Sequence, residues 1–198
     1  MKLTHMSPVQ AEVFPLLPKL AEPYDPNAPD DGSARDLLVK ARTGTGKTLA
    51  FLLPAVEARL KAVRAHGKQV VKNAGLSSDK SLGIRAQFNF AEENLGTLII
   101  SPTRELATQI AVEAQRLTYH LGDFQVRLFV GGASKGQQMR DWIRGRRDIL
   151  VATPGRLRDF LASEPAVVSG LAKTQTVWSY HCCISFQLTP TIRTAYSG

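Results

Sequence analysis

Ala41-Arg42-Thr43-Gly44-Thr45-Gly46-Lys47-Thr48 stands between the apolar run Leu37-Leu38-Val39 and a periodic apolar stretch from Leu49 to Leu60. A strand, a glycine-bearing turn and a helix opening on Lys-Thr predict a P-loop, in which backbone N–H groups and a helix N-terminus face an anion. Gly44 and Gly46 leave no Cβ to block a backbone curled around phosphate, Lys47 brings a compact positive charge, and Thr48 offers a hydroxyl suited to Mg²⁺. Ala41 occupies the first glycine of the strict pattern, and a Gly-Lys-Thr turn by itself is ordinary. It is the strand before and the helix after that carry the reading.

Downstream, one plan repeats. Thr97-Leu98-Ile99-Ile100 ends at Ser101-Pro102-Thr103-Arg104, Val126 to Val130 ends at Gly131-Gly132, and Asp148 to Ala152 ends at Thr153-Pro154-Gly155-Arg156. Between them lie helical stripes, with Leu106, Ile110, Ala114 and Leu117 on one face and Met139, Trp142 and Ile143 on another. Strands alternating with helices predict an α/β fold, a parallel sheet built from right-handed βαβ units and covered by helices on both faces. Such sheets bind ligands outside the carboxyl ends of their strands, so all four polar motifs are expected on one edge. Hydroxyls, arginines and glycine-exposed amides are groups that hold a sugar-phosphate backbone without reading bases.

Composition bounds the rest. The chain has 198 residues, 43% of them apolar, enough for one large domain with a sizeable core. A net charge of +8 suits a polyanionic partner, and equally suits plain solubility. Cys182 and Cys183 are adjacent, which excludes a disulfide framework and a C-x-x-C metal site and fits a reducing compartment. No run approaches the roughly 18 apolar residues of a membrane span, and Met1-Lys2-Leu3 does not lead into a signal-peptide core. Residues 22–36 read as a loop. Residues 61–96 read as a surface insertion with a short helical turn, its Lys68, Lys72, Lys80 and Arg85 forming a solvated face. Near the N-terminus, Ser7-Pro8 predicts a helix cap, with Gln10 as the return half of a capping box.

Together these motifs resemble those of the N-terminal RecA-like domain of DEAD-box ATP-dependent RNA helicases. Ser7 to Gln10 is similar to the family's Q motif, Ala41 to Thr48 to motif I in its A-x-T-G-x-G-K-T form, and Pro102 to Ala107 to motif Ia. Gly131-Gly132 resembles the GG motif and Thr153 to Arg156 motif Ib, the whole match covering roughly residues 3–177. The resemblance implies ATP and Mg²⁺ as cofactors, with Gln10 at the adenine edge, Thr43, Gly44, Thr45, Gly46, Lys47 and Thr48 around the phosphates, and Thr48 on the metal. It implies RNA, single-stranded or duplex and gripped independently of sequence, along Pro102, Thr103, Arg104, Gly131, Gly132, Thr153, Gly155 and Arg156. It further implies a monomer working inside the cell, in cytoplasm, nucleus or mitochondrion.

The departures carry weight too. The strand opening at Thr174-Gln175-Thr176-Val177 should run into hydrophobic-Leu-Asp-Glu-Ala-Asp, whose carboxylates hold Mg²⁺ in the family, yet here it reads Trp178-Ser179-Tyr180-His181. No Asp or Glu follows Glu164. The expectation is therefore a RecA-like domain over residues 1–177 that is incomplete at its C-terminal end, with no catalytic carboxylates and an exposed edge at Val177. Residues 178–198 show no helical or strand period and read as a non-homologous tail. An inactive half of a helicase is one function that fits; a non-catalytic nucleotide- or RNA-binding fragment is the other.

Overall fold

A computed structural model of the chain describes residues 5–21, 37–39, 44–75, 79–172, 174, 176–181 and 183–187. Ala41 to Thr43, the whole 22–36 loop and the end of the tail lie outside these residues. The chain opens with α1 (Pro8–Val13), a short 3-10 turn and α2 (Leu17–Leu20), followed by β1 (Leu37–Val39) and the long α3 (Lys47–Asn73). Next come α4 (Lys80–Glu93), β2 (Thr97–Ile100), α5 (Arg104–Thr118), β3 (Val126–Phe129) and α6 (Lys135–Ile143). β4 (Ile149–Ala152), α7 (Pro154–Ser163), α8 (Pro165–Leu171), β5 (Thr176–His181) and β6 (Cys183–Gln187) complete the described chain.

The sheet order is β1-β6-β5-β2-β4-β3. β5, β2, β4 and β3 are mutually parallel, as the βαβ repeat requires. β4 shows why helices cover both faces. Its alternate residues Ile149 and Val151 join one core with α3 and α5, while Leu150 and Ala152 join a second core with Trp142, Phe160 and Val167.

Three sequence expectations are corrected here. β6 exists, although no period was read beyond Val177, and it pairs antiparallel with both β5 and β1. One residue separates β5 from β6, too short for the crossover that parallel strands need, so a hairpin is the available geometry. Ile184 and Phe186 alternate with polar neighbours, but over five residues that signal is too short to stand out. Second, β5 is not an open edge, since β2 and β6 flank it; the edges are β1 and β3. Third, residues 61–73 and 80–93 are helical. α3 continues to Asn73 and turns back as α4, which Asp79 caps by accepting from the Ser81 and Leu82 amides at 2.9 and 3.0 Å.

Glycine lets these two helices approach. A Cβ on Gly67 would lie 2.6 Å from Gln87 Cγ and 2.8 Å from the Gly83 carbonyl oxygen. Gly67→Ala is thus expected to destabilise the chain by about 1–3 kcal/mol in urea denaturation, despite alanine's better helix propensity. An unchanged midpoint would show that the hairpin yields freely.

At the hairpin's root Arg59 is buried and donates to Asp148 Oδ1 (2.8 Å) and to the carbonyls of Asn94 (2.8 Å) and Ala91 (3.2 Å). Asp148 also accepts from Arg146 and from the Gln125 amide. Desolvation holds the Arg59 guanidinium below its ordinary pKa, and the Asp148 carboxylate partly opposes that. Nothing in the spacing of residues 59 and 148 announced this pair.

Candidate nucleotide and nucleic-acid site

β1 runs antiparallel to β6, and β6 antiparallel to β5, so β1 points the same way as the parallel strands. The loop after β1 and the segments after β2, β3 and β4 therefore share one edge of the sheet. At the loop after β1, Gly44 and Gly46 adopt φ of 80° and 77°, a region that glycine enters freely. Gly46 is the N-cap of α3 without a side-chain cap, which leaves first-turn amides for an anion. The space beside Gly44 is open, with nothing within 4 Å of where a Cβ would stand. Thr45, Lys47 and Thr48 are half-buried around this turn, and Thr43 lies outside the described residues. Phosphate fits this cradle. For Mg²⁺ the Thr48 hydroxyl is the available ligand, since among the described residues no group of three or more His, Cys, Asp or Glu is placed to hold a metal.

Gln10 is buried and committed at both ends of its amide. Its Oε1 accepts from the Ser7 amide at 3.0 Å, completing the capping box, and its Nε2 donates to the Gly46 carbonyl at 3.2 Å. The side chain that caps α1 thereby braces the phosphate loop.

The ends of β2, β3 and β4 meet in a cleft of about 540 Å³ lined by Pro102, Thr103, Arg104, Gly131, Thr153 and Arg156, among others. Arg104 Nη1 donates to the Gly131 carbonyl at 3.5 Å and occupies the place where Gly132, at φ 81°, would carry a Cβ. The glycine pair is thus a seat for the arginine. Arg156 Nη2 donates to the Ala133 carbonyl at 3.2 Å, while its buried Nη1 has no hydrogen-bond partner among the described residues. A buried donor of that kind suits an anionic oxygen. Gly155 leaves open space at the start of α7.

The threonines do less than their position suggested. Thr103 Oγ1 accepts from the Leu106 amide at 3.2 Å as the N-cap of α5, and Thr153 is buried with its hydroxyl 3.5 Å from the Phe129 carbonyl. Two carboxylates in the cleft were missed from sequence, Glu105 and Asp159. Asp159 accepts from Lys135 at 3.2 Å and lies 3.9 Å from Arg156, so it positions cations while diluting the cleft's positive charge. The i,i+3 spacing of Arg156 and Asp159 was the readable signal. Sheet order also keeps the sites apart. β6 and β5 separate β1 from β2, which puts the phosphate loop about 14 Å from the cleft along the edge.

A phosphate cradle at the edge of a parallel sheet sandwiched by helices defines a RecA-like P-loop α/β domain. The family description "DEAD/DEAH box helicase" matches residues 7–177, and the chain belongs to that family. It is 35% identical over 178 residues to the mitochondrial ATP-dependent RNA helicase mss116 of Aspergillus oryzae, a match covering 89% of the chain and 22% of the relative. With DEAD-box ATP-dependent RNA helicase 25 of Oryza sativa it shares 37% identity over 66% of the chain and 18% of the relative. Among solved structures, the yeast DEAD-box splicing factor Prp28 superposes with a TM-score of 0.59 at 28% identity, over 89% of this chain and 32% of that one. DEAD-box helicase Mss116 bound to ssRNA and UDP-BeF gives 0.52 at 28% identity, over 82% of this chain and 26% of that one. The chain thus spans about a fifth of the length of these curated relatives. Among the described residues no helix is long and apolar enough to cross a membrane.

Proposed function

We propose that the chain is the nucleotide- and RNA-binding half of an ATP-dependent RNA helicase. In this reading Thr43 to Thr48 cradle the phosphates of ATP, Thr48 takes one position on Mg²⁺, and Gln10 faces the adenine edge with the amide hydrogen its loop contact leaves spare. Bound Mg²⁺ would neutralise charge on the terminal phosphates. An RNA backbone lies along Pro102, Thr103, Arg104, Gly131, Gly132, Thr153, Gly155 and Arg156, held without reading bases. The observation that supports it most is the shared edge, which carries a phosphate cradle and, about 14 Å along it, a cleft lined by the two arginines that follow adjacent strands. The chain works as a monomer and inside the cell.

By itself it binds nucleotide without turning it over. β5 ends in Ser179-Tyr180-His181, and no carboxylate follows Glu164 to hold the metal or orient water. That feature favours the second reading as well, a non-catalytic nucleotide- or RNA-binding fragment.

Calorimetric titration with ATP separates a working cradle from a bare turn. Lys47→Ala is expected to bind at least about tenfold more weakly, and equal heats in both proteins would remove the nucleotide site from the reading. For the cleft, anisotropy of a labelled single-stranded RNA at two salt concentrations is the measure. Losing Arg104 and Arg156 to alanine should flatten the slope of log affinity against log salt by about 0.7 per phosphate contact. An unchanged slope would mean that RNA lies elsewhere.

A further inference from the structure

Between the C-terminal half of α3 and the start of α4 runs an open groove of about 670 Å³, with Lys68, Val71 and Lys72 on one wall and Lys80, Ile84 and Gln87 on the other. Lys68 lies 21 residues beyond Lys47 on the same helix, so the groove is about 30 Å from the phosphate cradle. It is not part of the edge described above.

Its chemistry is mixed in a specific way. Ile84 is 66% exposed, an aliphatic side chain without cover, and Val71 is half-buried opposite it. Residues 61–85 hold six cations, Lys61, Arg64, Lys68, Lys72, Lys80 and Arg85, against the single carboxylate of Asp79, the larger part of the chain's net +8. Lys61, Arg64, Lys68 and Lys72 fall in one stripe of α3, and among the described residues none of the six enters an ion pair. Asp79 is spent on capping α4, where hydrogen bonds from Ser81 and Leu82 hold its carboxyl below the usual range.

We propose that this groove docks an acidic amphipathic helix of a partner protein, the helix setting apolar side chains against Val71 and Ile84 and its carboxylates against Lys68, Lys72 and Lys80. Two antiparallel helices with an uncovered aliphatic seam offer the place of a third, and the basic rim selects the sign of its charge. A single-stranded nucleic acid fits less well. No aromatic side chain lines the groove to stack a base, and helix sides present no free backbone amides to phosphate. From Gly67 to Gly75 the groove accommodates about two turns of helix, which points to a short linear segment as the occupant.

The test uses the full chain and a phage-displayed library of random peptides on the order of 16 residues, since two to four turns must be spanned. Enriched peptides are expected to carry apolar residues at i, i+3 or i+4, and i+7, with Asp or Glu between them. The best of them should bind Ile84→Asp and Lys72→Glu at least about tenfold more weakly, both positions being exposed and both variants checked for the wild-type circular dichroism spectrum, while a Glu-to-Lys version of the peptide should regain affinity for Lys72→Glu. Pools without the acidic, periodic pattern, or peptides indifferent to both substitutions, would overturn the proposal. So would loss of single-stranded RNA binding in Lys72→Glu with RNA displacing the peptide, an outcome that assigns the groove to nucleic acid.

Discussion

Arg59→Ala is expected to remove about 3–5 kcal/mol of stability, measured as a shift of the urea midpoint by circular dichroism. The guanidinium is 1% exposed and the Asp148 carboxylate fully buried, so truncating Arg59 leaves that carboxylate with Arg146 as its one remaining cation, in a dry interior. Against a total of about 5–15 kcal/mol for a typical domain, that loss is a large fraction of the whole. More than charge is lost, because Nη2 also satisfies the carbonyls of Ala91 and Asn94 where α4 runs into β2. Arg59→Lys keeps the charge without the fork and should fall between wild type and alanine. Replacing both partners by apolar residues would not restore stability, since Arg146 and the Gln125 amide also depend on Asp148. A shift for Arg59→Ala below about 1 kcal/mol would show that Arg146, or water entering the gap, satisfies Asp148 without Arg59.

Gly46→Ala is expected to weaken ATP binding by about a hundredfold in calorimetry, near 2.8 kcal/mol at 1.4 kcal/mol per factor of ten. Two causes add. At φ 77° a side chain costs about 1–2 kcal/mol. The new Cβ would also stand 2.6 Å from Gln10 Nε2 and 2.9 Å from Ser7 Oγ, displacing α1 from the loop it braces. Gly44→Ala isolates the first cause. It sits at φ 80° with nothing within 4 Å, so its loss should be the smaller. Because the Gly46 clash falls on the end of a flexible side chain, Gln10→Ala should cost less affinity in the Gly46→Ala background than in the wild type, a non-additivity that a cycle of single and double variants reads directly. Strictly additive losses would show that Gln10 does not brace the loop.

Much of the architecture was legible in residues 97–156, where apolar runs and helical stripes alternate. Period and strand ends require only local chemistry, so β2, β3, β4 and the helices between them followed from spacing, with boundaries near those observed. Ser7, Pro8 and Gln10 spelled a capping box within one turn, and the structure forms it. Residues 61–96 were misread because a long stretch of scattered basic and polar residues looks like a solvated connection. Their helices are stabilised by each other, through a close approach that glycine permits and no local propensity reveals.

What the sequence determined by itself is the chemistry available at each strand end, because the glycines at 44 and 46, the lysine at 47 and the arginines at 104 and 156 are stated one residue at a time. Only the tertiary structure decided what those groups do for one another. It alone turned β6 antiparallel while keeping β1 in line with its neighbours, seated Arg104 in the space left by Gly132, and spent Thr103 and Thr153 on caps and strand contacts. It also paired Arg59 with Asp148 across 89 residues of chain. The physical reason is common to all of these. Hydrogen bonding and burial between distant segments depend on distances set by the whole packed sheet, and no local pattern encodes them.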